Sequence, residues 1–170
     1  MHVSSNACRP KIVRLADAPS AIPTLTRWFI EEWAPWYGPD GQGHAGADLL
    51  ACCNRDSLPL AVVALGDNDQ VLGTAALKPQ SLGSELGYEP WLAAVLVGQP
   101  FRRRGIGDML VGTIETEARR LGHERIYVST DSAVSLVTRR GWRPTAQHAD
   151  SLRGRVFIYR LDLAATEPNA

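Results

Sequence analysis

The chain has 170 residues, of which 45% are hydrophobic and 21% are charged, and this composition predicts one globular domain with one core. Lysine and arginine together number 18, as do aspartate and glutamate, and this balance argues against a protein held to nucleic acid or anionic lipid by its overall charge. We expect a single domain over residues 1–170, with a folded core at about 11–163 and flexible termini.

Hydrophobic patterning predicts two helices and three strands in the first half of the chain. Turn residues between two apolar runs indicate an antiparallel hairpin, and Pro23 suits the first turn of a helix whose cap would come from residues 17–20. The predicted elements are a strand at Lys11–Leu15, a helix running to Trp36, a helix at Asp48–Asn54 and the hairpin strands Leu60–Leu65 and Val71–Leu77.

The second half begins with the most apolar strand, Trp91–Val97. It lacks polar alternation, which is typical of a central strand covered on both faces. A helical stripe of apolar residues follows, and strand, helix, strand in this order predicts a right-handed parallel crossover. The later elements are a helix at Asp108–Leu121, a strand at Arg125–Ser129, a helix at Ser132–Arg140 and two more strands, of which the closing one is at Arg155–Leu163.

The chain shows no pattern typical of a secretory or membrane segment. Met1–Pro10 lacks a positive start followed by a long apolar run, and no apolar run approaches the roughly 20 residues that cross a bilayer. The cysteines Cys8, Cys52 and Cys53 have no Cys or His partners at zinc-ligand spacing, which favours reduced, buried thiols and no metal site. We therefore expect a cytoplasmic protein.

Positive charge is concentrated in the second half of the chain. Residues 101–160 contain twelve arginines, no lysine and six acidic residues. The rest of the chain therefore carries the compensating negative charge. An anionic ligand on the second half and a cationic ligand on the first would suit this distribution, although scattered surface charge also produces it.

Arginines and glycines meet where the central strand leads into the next helix, in Arg102–Gly107. Glycines beside a helix start let a ligand approach the backbone, while the exposed amides and the helix dipole favour an anion. The segment predicts a pyrophosphate cradle. It lacks the Gly-Lys-Ser/Thr ending of a Walker loop, and Leu110 stands where a dinucleotide fingerprint has its third glycine.

This segment resembles the acetyl-coenzyme A binding core of the GNAT superfamily of N-acetyltransferases. The family signature, Arg/Gln-x-x-Gly-x-Gly/Ala, is matched by Arg102, Gly105 and Gly107. The specific part of the resemblance begins at Trp91 and ends at Trp142, where the family usually has Gly-Phe or Gly-Trp.

The resemblance implies an α/β fold of the α+β type: a mixed, mainly antiparallel twisted sheet with flanking helices and a parallel crossover that forms the coenzyme cleft. It implies transfer of an acetyl group from acetyl-coenzyme A to a primary amine of a small molecule, peptide or protein, by direct attack in a ternary complex and without a metal. No nucleic acid or membrane partner is expected, and the protein would be a monomer or a homodimer.

The resemblance also implies coenzyme contacts on three consecutive elements. The strand backbone would bind the pantetheine arm, and the amides of the turn and helix start would hold the pyrophosphate. Thr130 or Ser135 would add a contact near the last helix. The implied residues of the strand, turn and helix are Val95, Leu96, Val97, Arg102, Arg103, Arg104, Gly105, Ile106, Gly107 and Asp108.

Two positions depart from the family pattern. Val137 replaces a tyrosine that often protonates the leaving thiolate, and Trp91 stands where many members carry glutamate. A thiolate is a good leaving group, so protonation by solvent suffices. Glu85, Tyr88 and Glu89, which precede the reacting strand, are candidates for taking the amine proton, and a solvated loop is the alternative reading of them.

Aromatic and acidic residues occur together in residues 28–37, the segment where the family builds its acceptor wall. Aromatic faces and carboxylates suit a cationic amine, although aromatic residues at helical spacing also suit a core, as we expect for Trp28. The candidate acceptor residues are Glu32, Trp33, Trp36 and Tyr37.

Two other functions stay open. An acyl-coenzyme A sensor or inactive module, suggested by Val137 and Trp91, would bind the coenzyme without turnover. Nucleic-acid binding through the arginine cluster predicts steep salt dependence, but the zero net charge and the absence of an aromatic and basic platform disfavour it.

Overall fold

Residues 9–164 are described in a computed structural model of the protein. The termini that we expect to be flexible, and Cys8, lie outside these residues. The strands are Lys11–Arg14 (β1), Leu60–Leu65 (β2), Val71–Lys78 (β3), Trp91–Val97 (β4), Arg125–Thr130 (β5), Arg143–Ser151 (β6) and Gly154–Asp162 (β7). The α-helices are Ile22–Glu32 (α1), Ala34–Tyr37 (α2), Ala45–Ala51 (α3), Ile106–Arg120 (α4) and Val134–Arg139 (α5).

The seven strands form one mixed sheet in the order β1-β2-β3-β4-β5-β7-β6. Neighbouring strands are antiparallel except β4 and β5, which are parallel and joined by α4. This arrangement confirms the predicted α+β fold, the hairpin and the parallel crossover. Within residues 9–164, no helix has the length and apolar character needed to cross a membrane.

The helix predicted to run to Trp36 is wrong in its bounds, because two helices occupy this segment. α1 ends at Glu32, and Trp33 leaves the helical region with φ −117° and ψ 48° before α2 begins. The polar residues 17–20 do not cap α1, because its N-cap is Ala21, which makes no side-chain hydrogen bond.

Helix α3 lies three residues earlier than the predicted Asp48–Asn54. His44 fixes its start, because Nδ1 of the imidazole accepts a hydrogen bond of 3.0 Å from the amide of Ala47. Helix α4 begins two residues earlier than predicted, at Ile106. The other predicted elements agree with the structure to within two residues at each end, which is the ordinary uncertainty of such boundaries.

Hydrophobic layers cover both faces of the sheet. Helix α4 buries Leu110 and Ile114 with the core on one face, whereas α1 buries Leu25 and Phe29 on the other. The prediction that β4 is a central strand covered on both faces is confirmed, because Leu92 packs in one layer and Leu96 in the other; residues 93–95 and 97 are half-buried.

The loop between β3 and β4 crosses a third apolar cluster that includes Trp91, Tyr127 and Ile158. Gly83 lies directly on this cluster with φ +106°, and a Cβ there would meet a Trp91 ring carbon at 2.8 Å and Ile158 Cδ1 at 2.9 Å. Gly83 is therefore required both for its backbone conformation and for the space that it leaves.

We predict that Gly83→Ala destabilises the protein more than Gly87→Ala in the same loop. Gly87 also has a positive φ, but a Cβ there meets nothing within 4 Å. G87A should cost about 1–2 kcal/mol for the backbone conformation, and G83A should add about 1–3 kcal/mol for the clash. Urea unfolding measures both, and equal losses would contradict the packing role of Gly83.

Candidate active site

Strands β4 and β5 separate after a single paired position. Trp91 lies opposite Tyr127, and no later residue of β4 pairs with β5. On its other side β4 carries a bulge, at which Ala94 has φ +52°. Beyond Trp91, the edge of β4 that faces β5 therefore has backbone groups available to an amide-bearing ligand that lies along it like an added strand.

The turn after β4 leads into α4 with its amides exposed. Arg103 and Gly105 have positive φ values of 63° and 78°. Gly105 is the N-cap of α4 and provides no side-chain cap, so the first amides of this 15-residue helix are free for an anion. A Cβ on Gly105 would meet nothing within 4 Å, so this glycine is needed for its φ value rather than for space.

The three arginines of the turn differ in their contacts. Arg102 Nε donates a hydrogen bond of 3.0 Å to the carbonyl of Val97, and its guanidinium lies 3.7 Å from Glu32. Arg103 and Arg104 are exposed and make no ion pair with any residue between 9 and 164. All three remain accessible to an anion, with Arg102 the most fixed.

Asp108, in the first turn of α4, is paired with Arg140. Arg140 Nη1 donates to Asp108 at 2.9 Å, while its other nitrogens bind Glu115 at 2.9 and 2.8 Å. Trp142 Nε1 also donates to Glu115, at 2.9 Å. The hydrogen bonds with Glu115 raise the pKa of Arg140, so its charge is permanent. A carboxylate at the start of α4 is thereby neutralised close to the amides that would bind an anion.

Helix α4 carries a second buried carboxylate, Glu117, near its other end. Arg14 of β1 binds Glu117 at 2.8 Å, and Arg120 binds it at 2.6 Å. Together with Glu115 and Arg140, these pairs fix α4 to β1 on one side and to the segment after α5 on the other. The position of the α4 amides relative to β4 is therefore fixed by ion pairs as well as by the core.

The residues expected to add a coenzyme contact near α5 lie in different environments. Thr130 is buried, and its hydroxyl oxygen accepts a hydrogen bond of 2.9 Å from the amide of Ala133. Ser135 is exposed on α5. Val137 is fully buried in the core, so this position provides neither a proton donor nor a contact with solvent.

The candidates for taking the amine proton lie in the loop before β4. Glu85 and Glu89 are exposed to solvent. Tyr88 is half-buried and its ring stacks on Tyr127 with the centroids 4.4 Å apart and the planes 2° apart. Trp91 Nε1 donates a hydrogen bond of 2.8 Å to the carbonyl of Tyr88, which fixes this loop against the start of β4.

The candidate acceptor residues lie at the end of α1 and on α2. Trp33 packs edge-on against Phe29 at 4.9 Å, whereas Trp36 is 45% exposed. The carbonyl of Glu32 accepts a hydrogen bond from Arg153 at the tip of the β6–β7 hairpin. The hairpin therefore contacts the end of α1.

Tyr37 is bound to a residue that sequence reasoning missed. Its hydroxyl donates a hydrogen bond of 2.6 Å to Asp48 of α3. Burial, and secondly this hydrogen bond, raise the pKa of Tyr37, so the phenol stays protonated. Asp48 and Lys78 line one small recess beside β4. No sequence signal identified them, because their proximity arises only when α3 packs on the sheet.

Glu115 and Arg140 were also missed. The available signals were the position of Glu115 beside the apolar stripe of α4 and the position of Arg140 next to Gly141-Trp142. Neither signal indicates the partner of the residue. Among residues 9–164, no group of three His, Cys, Asp or Glu side chains is placed to hold a metal ion.

The sequence profile of the acetyltransferase (GNAT) family matches residues 23–142. The chain belongs to the GNAT acetyltransferase family. The expected family and the expected class of enzyme, an acyltransferase, are confirmed. No curated protein sequence matches this chain.

Solved structures of acetyltransferases share the fold of this chain. Aminoglycoside 6'-acetyltransferase type Ii matches with a TM-score of 0.71 and 19% identity, over 92% of this chain and 99% of its own. The aminoglycoside 6'-N-acetyltransferase from Enterococcus faecium matches at 0.70 and 17% identity, over 94% and 99%. The yncA protein of Salmonella typhimurium, assigned as an acetyltransferase and solved with its cofactor acetyl-CoA, matches at 0.67 and 18%, over 96% and 99%. The coenzyme expected here is the one that the last structure holds.

We predict that Glu115→Ala removes about 3–5 kcal/mol of the free energy of unfolding, because it leaves the partly buried Arg140 without its main partner. Glu115 is only 4% exposed, and its loss also leaves the buried Nε1 of Trp142 without its acceptor. Glu124→Ala, at an exposed carboxylate after the same helix, should cost less than about 0.5 kcal/mol. Denaturant unfolding of both variants checks the prediction, which fails if the two lose the same stability.

Proposed function

We propose that this family member transfers the acetyl group of acetyl-coenzyme A to a primary amine of a small molecule, a peptide or a protein, by direct attack in a ternary complex. The observation that carries the proposal is the opening between β4 and β5 next to the uncapped start of α4. An amide-bearing arm suits the opening between the strands, and a pyrophosphate suits the free amides at the start of α4.

The coenzyme residues of the proposal are those that the resemblance implies. The backbone of Val95, Leu96 and Val97 binds the pantetheine arm, and the residues of Arg102–Asp108 bind the pyrophosphate. Thr130 keeps a hydroxyl hydrogen for donation, because in its hydrogen bond with Ala133 it acts only as acceptor.

On the acceptor side the proposal uses the exposed face of Trp36 with Trp33, Tyr37 and Glu32. An indole face and a carboxylate attract a cationic amine. Glu85, Tyr88 and Glu89 stay predictions for the group that takes the amine proton. Because Val137 is buried and has no donor, solvent protonates the leaving thiolate.

We also propose that the protein works in the cytoplasm as a monomer or a homodimer, and that neither a nucleic acid nor a membrane is its partner. A second function, an acyl-coenzyme A sensor, is favoured by one observation: the family's usual proton donor is replaced by the fully buried Val137.

Calorimetric titration with acetyl-coenzyme A and coenzyme A tests the proposal when it is followed by a thiol-release assay. The amines for the assay are an aminoglycoside, a linear diamine and a dipeptide with a free amino terminus. Binding with thiol release supports the transferase, binding without release from a wide set of amines supports the sensor, and no binding contradicts both.

We predict that Arg102→Glu with Arg104→Glu weakens acetyl-coenzyme A binding by about tenfold or more. Each substitution replaces the attraction between an arginine and the phosphates by repulsion. The control is Arg55→Glu with Arg125→Glu, which has the same charge change. These arginines lie near the other end of α4, since Arg55 contacts Arg120 and Arg125 begins the following strand. Equal affinities for the two double variants in calorimetry would exclude the arginine turn as the pyrophosphate site.

A further inference from the structure

A small recess lies on the sheet face that α1 and α3 cover. Its floor is formed by β3 and by Ala94 of β4, and its walls by Phe29 of α1 and by α3. The polar side chains that line it are Asp48, Cys52, Thr74 and Lys78.

The recess adjoins the bulge of β4. Ala94, the bulged residue with φ +52°, forms part of its lining. Ala94 directly precedes Val95–Val97, the residues that hold the pantetheine arm in the proposed function. An amine in the recess would therefore approach the thioester from the sheet face that α1 and α3 cover.

The volume of the recess, about 10 Å³, holds one water-sized group. The nitrogen of a primary amine has this size, whereas a methylated nitrogen is larger. The side chains around the recess are mainly apolar, so an amine that enters it loses most of its water and interacts strongly with the few charges present.

Asp48 is the carboxylate of the recess, and it is held in place. Tyr37 donates a hydrogen bond of 2.6 Å to one oxygen of Asp48, and no other hydrogen bond to this carboxylate occurs within residues 9–164. The second oxygen is thus available to a ligand. By contrast, Glu85 and Glu89 are exposed to solvent, and neither lines the recess.

Lys78 is the positive charge of the same recess. It forms no ion pair within 4 Å with Asp48 or with any other acidic residue between 9 and 164. Thr74 is engaged, because its hydroxyl donates to the carbonyl of Val62 at 2.8 Å. Burial raises the pKa of the Cys52 thiol, which stays neutral, as does the Tyr37 phenol. Asp48 and Lys78 are therefore the two charges that a bound amine meets.

We propose that this recess binds the reacting nitrogen of a primary amine, that Asp48 takes the proton which this nitrogen must lose, and that Lys78 favours that loss by charge repulsion. The inference rests on the proposed function and deepens it, because it assigns the proton acceptor and the class of amine.

The amine arrives protonated, as an ammonium group. Asp48 takes one proton from the ammonium, and the freed electron pair of nitrogen forms a bond with the carbonyl carbon of the thioester. The carbon–sulfur bond breaks, and its electrons leave on the sulfur of coenzyme A. The second proton of nitrogen passes through water to this thiolate, and Asp48 returns its proton to solvent.

The roles of the two charges differ. A carboxylate near the ammonium favours binding, whereas the neighbouring lysine disfavours the charged form of the amine. Tyr37 acts as a positioning residue, because its hydroxyl binds one oxygen of Asp48 and leaves the other free.

The first test compares Asp48→Asn with Asp40→Asn and Glu89→Gln. The assay uses whichever of the aminoglycoside, the diamine and the dipeptide the unmodified protein acetylates fastest. We expect D48N to lower kcat/KM for the amine by about 100-fold, which is typical of losing a proton-accepting group, with an unchanged Kd for acetyl-coenzyme A. Asp40 is exposed in the loop after α2, and D40N should retain full activity.

The outcomes separate this inference from the function on which it rests. If the unmodified protein binds acetyl-coenzyme A but acetylates no primary amine, both fail. If it acetylates an amine and D48N keeps the activity of D40N, only the inference fails. Loss of activity in E89Q but not in D48N would assign the proton transfer to Glu89 instead. Thermal unfolding verifies that D48N is folded, and Asp48→Glu should restore part of the rate.

A second test concerns Lys78, with Lys11→Met as its control because Lys11 is the only other lysine of the chain and is exposed on β1. In Lys78→Met, the acid limb of the kcat pH profile should move to higher pH by about one unit, since removing a positive charge raises the pKa of the bound amine. No movement relative to K11M would contradict the role of Lys78.

The third test uses the size of the recess. The N-methyl derivative of the best amine should be acetylated with a kcat/KM at least about tenfold lower than that of the amine itself. Equal values for the two amines would show that the reacting nitrogen does not enter the recess.

Discussion

The separation of β4 from β5 is the constraint on which the rest of the structure depends. Parallel neighbours in the middle of a sheet normally satisfy each other's backbone groups along their full length. Here the ladder stops at Trp91 and Tyr127, where Tyr88 and Tyr127 stack and close one end. The remaining edge of β4 needs a partner that carries amides. A coenzyme arm with amide groups would meet this need, and this is why we propose that the arm lies along this edge of β4.

The opening between β4 and β5 can form one site with the amides of α4 only if the position of α4 relative to β4 is fixed. Helix α4 is held by two buried carboxylates that lie on the helix itself, Glu115 and Glu117, and each is bound by arginines from other elements. A buried ion pair adds little net stability, but it specifies one position along the helix axis, which apolar packing alone specifies less well. Arg140 adds an electrostatic effect, because it neutralises Asp108 beside the helix start. The amides of α4 therefore stay suitable for an anion despite an acidic residue in the first turn.

Sequence reasoning predicted the parts of this arrangement that are local. The apolar run of β4, the glycines before α4 and the helical stripe are each contiguous, so their periodicity indicated the fold, and the motif at Arg102 indicated the family. The break at Trp33 also has a local cause, because Pro35 has no amide hydrogen with which to continue α1 and lies in the first turn of α2; the prediction placed the end of the helix too late. Asp48 and Lys78 were missed for a stronger reason: they lie 30 residues apart in the chain and become neighbours only when α3 packs on the sheet.

The uneven charge of the two halves of the chain corresponds to different positions of the charged residues in the structure. The arginine-rich second half supplies the turn before α4 and the partner of Asp108, but several of its arginines are used in ion pairs within the protein. The acidic first half contributes Asp48, which lines the same recess as Lys78. Net charge per segment therefore indicates which side of the molecule suits an anion. In the reaction proposed at the bulge of β4, the two charges of the recess have opposite effects on a bound amine: Asp48 attracts the ammonium and accepts its proton, whereas Lys78 disfavours the charged form.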